Sequence, residues 1–164
     1  MIVNGKILLG LKPIKNMLSH KVSALPTSYG LSEIGYDIRV KQDIQFWLDP
    51  SGHPMVSVNG VIKPGRFCLA SSIEEFQMPN SLGAIGHDKS TNARLGVQVF
   101  NTVIEPGWNG FLTLELVFNA EQPVHIPAGS GIMQVIFHSL AHNAMYDGKY
   151  KDQADEPISA KTGP

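Results

Sequence analysis

The fold is decided by residues 83–119, which read GAIGHDKSTNARLGVQVFNTVIEPGWNGFLTLELVFN. A basic, hydroxyl-rich segment comes first, a Glu-Pro-Gly turn follows at residues 105–107, and an apolar strand pattern ends the stretch. In that strand, alternation places four apolar residues on one face and Thr113 and Glu115 on the other. The apolar face must be core. A lone strand carboxylate close to phosphate-binding residue types indicates a nucleotide enzyme more than a packing module.

The rest of the chain repeats short strand patterns separated by turns. Residues 34–48 alternate like strands, and Asn59-Gly60 is typical of a tight hairpin. The 16 Gly and 11 Pro supply the turns that many short strands need. In residues 1–25 the apolar spacing predicts one helix, with Pro13 in its first turn. We therefore expect an all-β sandwich or barrel, mainly β with a short N-terminal helix.

Length and charge limit the function. The 164 residues predict one domain, residues 1–164, with 43% hydrophobic and 16% charged residues, as in globular proteins. The net charge of -1 argues against a nucleic-acid binder that works by charge alone. Any phosphate ligand must therefore meet a local basic cluster.

The cysteine count and the start of the chain exclude other classes. Cys68 is the one cysteine, so an intrachain disulfide or a thiolate metal site is not expected, and we interpret it as a core thiol. The chain also has no Cys-x-x-Cys or His-x-Glu pattern of the kind that zinc-dependent base deaminases use. Its apolar start is too short to span a membrane. We expect a cytoplasmic protein with no membrane or nucleic-acid partner.

Three groups of residues are candidates for chemistry, and each has a bland alternative. The first group is a basic, hydroxyl-rich cluster of Lys89, Ser90, Thr91 and Arg94. Its charges and hydroxyls suit phosphate oxygens, but a basic cluster is more often a solvated surface. Glu115 is either a solvent-facing strand acid or, if desolvated, a general acid/base. Glu105 precedes a turn proline and could face a ligand from the loop.

The polar C-terminal stretch, residues 141–164, is a further candidate. It is either a frayed tail or a lid. Tyr146, Lys149 and Gln153 supply the aromatic, cationic and amide groups that could close over a nucleotide.

Taken together, the motifs resemble the dCTP deaminase family within the trimeric dUTPase superfamily. One stretch reads KPGRFCLASSIEEFQMPNSLGAIGHDKSTNARLG and is similar to the family's PGEF-LAST-E-LP segment followed by G-R-S-S-L-A-R-L-G. A second stretch reads IEPGWNGFLTLEL and is similar to the family's I-D-P-G-[FW]-x-G-x-[IL]-x-L-E-L. GYDIRV, PAGSGIMQVIF and KYKDQADEPISA resemble three further family motifs in the same order. The resemblance implies a distorted β jelly roll (a β-clip of the dUTPase type) and homotrimers with active sites between subunits.

The resemblance also implies a function, the deamination of dCTP to dUTP and ammonia for dUTP and dTTP supply. Glu115 would be the general base that activates water at C4 of cytosine, without zinc. Lys89, Ser90, Thr91 and Arg94 would hold the phosphates, with Arg94 reaching in from a neighbouring subunit. Glu105, Thr113 and Leu114 would contact sugar and base, and Tyr146, Lys149 and Gln153 would close over the triphosphate. Mg²⁺ would arrive with the triphosphate rather than in a protein metal site.

Three departures from the family pattern keep other functions open. Between Gly96 and Glu105 the chain is about two residues shorter than the family pattern, in the hairpin expected to hold the pyrimidine. Residues 88–92, DKSTN, depart from the family's G-R-S-S-L, and Glu105 stands where the family has Asp. A dUTP diphosphatase, or a bifunctional enzyme giving dUMP, is therefore the second reading. A non-catalytic nucleotide-binding relative is the third.

Overall fold

The computed structural model describes residues 1–162, and they are almost entirely β structure. The described residues form two short helices, α1 (Gly5–Leu11) and α2 (Ser90–Arg94), and fourteen strands. The strands are β1 (Ile2–Val3), β2 (Lys21–Val22), β3 (Tyr29–Leu31), β4 (Tyr36–Arg39), β5 (Ile44–Leu48), β6 (Pro54–Val58), β7 (Val61–Pro64), β8 (Phe67–Gln77), β9 (Leu82–Asp88), β10 (Val97–Val99), β11 (Thr102–Ile104), β12 (Asn109–Phe118), β13 (Val124–Ile126) and β14 (Gly131–Ser139). The predicted all-β class with a short N-terminal helix is confirmed.

The strands form three antiparallel sheets. The largest has the order β11-β9-β14-β4-β3-β2, with β1 also pairing β14. A three-stranded sheet has the order β10-β12-β8, and a four-stranded sheet has the order β13-β5-β6-β7. Many neighbours are distant in sequence, so the fold is assembled from non-local pairs. Within residues 1–162, no helix is long and apolar enough to cross a membrane.

Strand β12 alternates as its sequence predicts. Leu114, Leu116 and Phe118 are each 0% exposed, whereas Glu115 is only partly buried. The ring of Phe118 stacks on Phe46 of β5, with centroids 5.3 Å apart. Such an aromatic pair adds about 0.5–1.5 kcal/mol beyond area burial, so it ties the sheet of β12 to the four-stranded sheet. The core face of β12 is thereby fixed, and Glu115 must point the other way.

The Asn59-Gly60 hairpin forms where it is predicted. Val58 of β6 lies opposite Val61 of β7. Asn59 and Gly60 have φ values of 49° and 80°. Two consecutive left-handed residues define the tight turn whose twist matches that of paired strands.

The predicted N-terminal helix is placed wrongly by the sequence pattern. Helix α1 ends at Leu11, and Lys12 takes a left-handed conformation (φ 48°) with its N–H bonded to the Leu8 carbonyl. Pro13 therefore follows the helix instead of beginning it, because the residue before a proline is disfavoured in helical conformation. Lys21, expected on the helix, lies in strand β2.

The shortened segment between Gly96 and Glu105 is not a hairpin. Strand β10 pairs with β12, whereas β11 pairs with β9 in the largest sheet. Phe100 and Asn101 connect the two sheets, and the Phe100 N–H donates to the Glu115 carbonyl at 3.0 Å. The prediction of a hairpin that holds the pyrimidine is therefore wrong. The segment crosses from one sheet to another, because β10 and β11 pair with strands of different sheets.

Candidate active site

Glu115 lines a cavity of about 570 Å³. It lies opposite Leu69 of β8 in the register of the sheet. The cavity wall around it is largely apolar, with contributions from β8, β11 and β12: Phe67, Leu69, Val103, Ile104 and Leu112. These walls come from strands far apart in sequence, and only the crossover between sheets brings them to one carboxyl group.

Burial sets the protonation of Glu115. Desolvation raises the pKa of its carboxyl above the usual range, and a hydrogen bond to its own backbone opposes this less strongly. A carboxyl whose pKa is raised holds a proton more strongly than an ordinary one, which makes it a better general acid once it has acted as a base. The bland reading of Glu115 as a freely solvated strand acid does not fit this environment.

The same cavity receives two more of the predicted residues from β12 and its preceding turn. Thr113 lines it one strand repeat from Glu115, and Glu105 lines it from the loop. The turn is set by Pro106 and by Gly107 (φ 73°), with the Trp108 N–H donating to the Glu105 carbonyl at 3.2 Å. Glu105 itself is exposed. Leu114 is 0% exposed in the core and does not line the cavity.

The C-terminal tail lies along β12 and forms part of the cavity wall. The Trp108 indole N–H donates to the Tyr150 carbonyl at 2.7 Å, and the Ile158 N–H donates to the Thr113 hydroxyl at 2.9 Å. Gly110 (φ 121°) is bridged to Gln153, and a Cβ there would lie 2.4 Å from the Gln153 carbonyl oxygen. Only glycine therefore allows the tail to approach this closely.

The predicted tail residues divide between two situations. Tyr146 and Gln153 line the cavity with Glu115. Lys149 does not: its ammonium donates to the Lys161 carbonyl and lies 5.5 Å from the centre of the Tyr150 ring. Gly163 and Pro164, the end of the predicted tail, lie outside the described residues.

Three of the four predicted phosphate residues line a second cavity, of about 520 Å³. They are Lys89, Ser90 and Thr91, at the start of helix α2. Arg94 is exposed at the end of α2 and lines neither cavity. The wall opposite α2 comes from β2 and the loop after it, with Lys21, Ser23, Thr27 and Ser28.

Lys89 is held by a buried carboxylate. Its ammonium contacts Asp37 of β4, and the two side chains are 11% and 2% exposed. The Gln134 amide donates to the other Asp37 oxygen at 3.2 Å. Because both charges are out of water, each side chain depends on the other for its partner.

The two cavities share no lining residue. Within residues 1–162, the lining of the Glu115 cavity contains no Lys or Arg. The chain therefore places Glu115 in one cavity with Glu105 and Thr113, which are predicted to contact the sugar and the nucleobase, and it places Lys89, Ser90 and Thr91 in the other cavity.

The profile of the dCTP deaminase-like family matches residues 12–140 of the chain. The chain belongs to the dCTP deaminase-like family. It is 35% identical over 163 residues to a dCTP deaminase of Ehrlichia canis, covering 88% of this chain and 87% of that protein. It is 37% identical over 160 residues to a dCTP deaminase of Anaplasma marginale, covering 85% of each.

Solved structures of two related kinds share the fold. A dCTP deaminase from Agrobacterium tumefaciens aligns with a TM-score of 0.59 at 17% identity, over 83% of this chain and 47% of that one. The dUTPase of EIAV aligns with a TM-score of 0.51 at 15% identity, over 91% and 97% of the two chains. The dUTPase-like fold expected from the sequence is confirmed for this member of the dCTP deaminase-like family.

Several cavity residues of this dCTP deaminase-like chain escaped the sequence reasoning. Trp108 anchors the tail, and Ile158 to Ala160 close one side of the Glu115 cavity. Lys21 lines the second cavity, although its sequence spacing suggested a helix. No local pattern signals these contacts, because each joins segments distant in the chain.

Within residues 1–162, no group of three or more His, Cys, Asp or Glu side chains is arranged to hold a metal ion. The two carboxylates of the second cavity already have partners: Asp37 contacts Lys89 and Gln134, and Asp88 accepts from the Val99 N–H at 2.7 Å.

Proposed function

We propose that this protein deaminates dCTP hydrolytically to dUTP and ammonia. The observation that carries the proposal is Glu115, a carboxyl of raised pKa inside a largely apolar cavity of a dCTP deaminase-like chain. The proposed location is the cytoplasm.

The proposed chemistry balances around one carboxyl group. The Glu115 carboxylate removes a proton from water while the oxygen forms a bond to C4 of cytosine, giving a tetrahedral adduct. In that adduct the electron pair of the former C4–N3 double bond rests on N3. Glu115 then returns the proton to the amino nitrogen, N3 re-forms its double bond to C4 as the bond to the amino nitrogen breaks, and ammonia leaves. The proton on O4 moves to N3 and gives the uracil base. The raised pKa supports this cycle because the group must return the proton that it removes, and burial shifts the Glu115 carboxyl in the direction that favours its protonated form. The water is activated by Glu115, and Mg²⁺ enters only as the partner of the triphosphate.

The contacts to the rest of the substrate follow the layout of the cavity. Thr113 would contact the base and Glu105 would face the sugar, since both line the cavity. A backbone contact from Leu114 rests on the family resemblance alone, because Leu114 is buried in the core and does not line the cavity. Residues 141–164 would act as a lid on a single domain, with Tyr146 and Gln153 inside the cavity and Lys149 turning inward when the triphosphate arrives.

We further propose that the active site is completed between subunits of a homotrimer. The Glu115 cavity has no described Lys or Arg in its lining, yet a triphosphate carries several negative charges. Ser90, Thr91 and Arg94 of a neighbouring subunit would supply the phosphate contacts. Arg94 supports this reading, since it is exposed and lines neither cavity of its own chain.

A mixing experiment tests the shared site. Glu115→Gln and Arg94→Ala are each expected to be inactive alone. Co-expressed in equal amounts, they should regain about a quarter of wild-type activity, because a site is intact when one subunit gives Glu115 and its neighbour gives Arg94. Absence of any recovery, with trimers confirmed by light scattering, would show that each subunit builds its own site.

The reaction itself is tested by product analysis. The purified protein is incubated with dCTP and Mg²⁺, and separately with dUTP, and nucleotides and ammonia are quantified. We expect dUTP and ammonia from dCTP, and no dUMP. Glu115→Gln should bind dCTP but release no ammonia; substantial residual release would refute its role. No turnover of either nucleotide by the wild type would favour a binding protein.

A second candidate function rests on Glu105. Its carboxyl lies in the same cavity as Glu115, so it could activate water against the α-phosphate of dUTP and yield dUMP and pyrophosphate. Formation of dUMP from dUTP alone would make the protein a dUTP diphosphatase. Formation of dUMP from dCTP would make it bifunctional, and Glu105→Gln should then stop at dUTP.

A further inference from the structure

We propose that Lys21 is a phosphate-binding residue, the exchangeable cation of the second cavity. The inference rests on the proposed function in one respect, that the phosphates it meets belong to the nucleotide. Its chemistry needs only a polyphosphate ligand.

The wall that carries Lys21 is fixed in place. Lys21 lies on β2, opposite Gly30 of β3. The loop that follows is held against β14, because the Thr27 hydroxyl donates to the Gly131 carbonyl at 2.6 Å in a buried position. A Cβ at Gly131 would lie 1.9 Å from the Ser28 carbonyl oxygen, so the two backbones are in direct contact. Lys21 and the hydroxyls of this loop therefore face α2 across the cavity on a rigid support.

The other lysine of the cavity is not available to a ligand in the same way. Lys89 is bound to Asp37, and both side chains are almost out of water. Moving the ammonium to a phosphate would leave a buried carboxylate unpaired, which is strongly unfavourable. Lys89 and Asp37 together present no net charge to the cavity, and the other carboxylate in its lining, Asp88, is negative and accepts from the Val99 N–H. Attraction for an anion must therefore come from another cation.

Lys21 can change partner at little cost. Its ammonium lies 3.1 Å from Glu33, whose side chain is 87% exposed, while that of Lys21 is 38% exposed. Exposed ion pairs of this kind are worth little because water screens them. A phosphate carries more charge and more acceptor oxygens than one carboxylate. Lys21 should therefore leave Glu33 for a phosphate held by the Ser90 and Thr91 hydroxyls.

Binding of inorganic tripolyphosphate to the full-length protein tests the inference. By calorimetry at low salt, Lys21→Ala should weaken binding about tenfold, the loss of one hydrogen bond to a charged group, and Lys21→Arg should restore most of it. The matched control is Lys15→Ala, because Lys15 also pairs with an exposed acid, Glu75, at 2.5 Å with 46% and 36% exposure. It should bind like the wild type. Glu33→Gln removes the competing carboxylate and should bind as well or more tightly.

The inference is overturned if Lys21→Ala binds like the wild type, if Lys15→Ala loses as much, if Glu33→Gln weakens binding, or if tripolyphosphate does not bind. Kinetics with dCTP add a second readout: Lys21→Ala should raise KM about tenfold with kcat unchanged. Loss of tripolyphosphate binding in a protein that does not deaminate dCTP would support the role of Lys21 while refuting the proposed function. If the protein deaminates dCTP but Lys21→Ala leaves the KM for dCTP unaltered, the proposed function is supported and the role of Lys21 is refuted.

Discussion

The Asp37–Lys89 pair makes a quantitative prediction for stability. The side chains are 2% and 11% exposed, so replacing one partner leaves the other as an unpaired buried charge. Such a change costs about 3–5 kcal/mol in the free energy of unfolding. We expect a loss of that size for Asp37→Asn and for Lys89→Met. The double variant removes both charges and keeps a carbonyl oxygen at position 37 for the Gln134 amide, so it should be more stable than either single variant.

Urea unfolding followed by tryptophan fluorescence measures these losses, at one protein concentration because oligomers unfold in a concentration-dependent way. For a chain of this size a loss of ~3 kcal/mol corresponds to about 6–12 °C in Tm. Lys41–Asp155 is the control, since its side chains are 42% and 49% exposed. Asp155→Asn should cost at most about 1 kcal/mol. Additive losses in the double variant, or an Asp37→Asn variant as stable as the control, would refute the reasoning.

Three further predictions concern other parts of the molecule. Burial raises the pKa of Glu115 from an ordinary 4.5, so the folded state binds its proton more tightly than the unfolded chain does. The free energy of unfolding of the wild type should therefore fall as pH rises from that value. Urea unfolding across this pH range should show the stability of Glu115→Gln increasing relative to that of the wild type. Trp108→Phe removes the bond to the Tyr150 carbonyl, worth about 1 kcal/mol, and limited proteolysis should cleave the tail severalfold faster while the sheets remain intact. Burial raises the pKa of Cys68 to about 12, so iodoacetamide at about pH 8 should label it only after unfolding.

Local patterns were sufficient for strand β12 and for the turn between β6 and β7. The alternation in β12 predicts its buried face, and Asn59-Gly60 predicts the β6–β7 turn, because both signals lie within a few residues. The N-terminal helix was misplaced because helical spacing continued beyond Pro13, and the spacing carries no information on the backbone conformation that Lys12 must adopt. Family resemblance, rather than periodicity, supplied the dUTPase-like topology.

The candidate site was predictable as a set of residues but not as an arrangement. Glu115 could be placed on the outer face of β12, yet its apolar surroundings depend on β8 and β11, which pair in different sheets. Lys89 could be chosen as a phosphate residue, but its buried partner Asp37 lies 52 positions away. Pairings of this kind are set by the topology of the whole chain.

The pairing of β1 with β14 constrains how the protein can be made. Ile2 lies opposite His138, and the Ser139 N–H donates to the Met1 carbonyl at 2.9 Å. On the ribosome, β1 emerges ahead of the other described strands, whereas its partner β14 is the last of them to be made. The largest sheet therefore cannot close until β14 has been synthesised, and non-local pairing of this kind also slows folding. Until β14 emerges, the exposed edges of the nascent sheets are open to aggregation, so expression yield should depend on chaperones that bind unfinished chains.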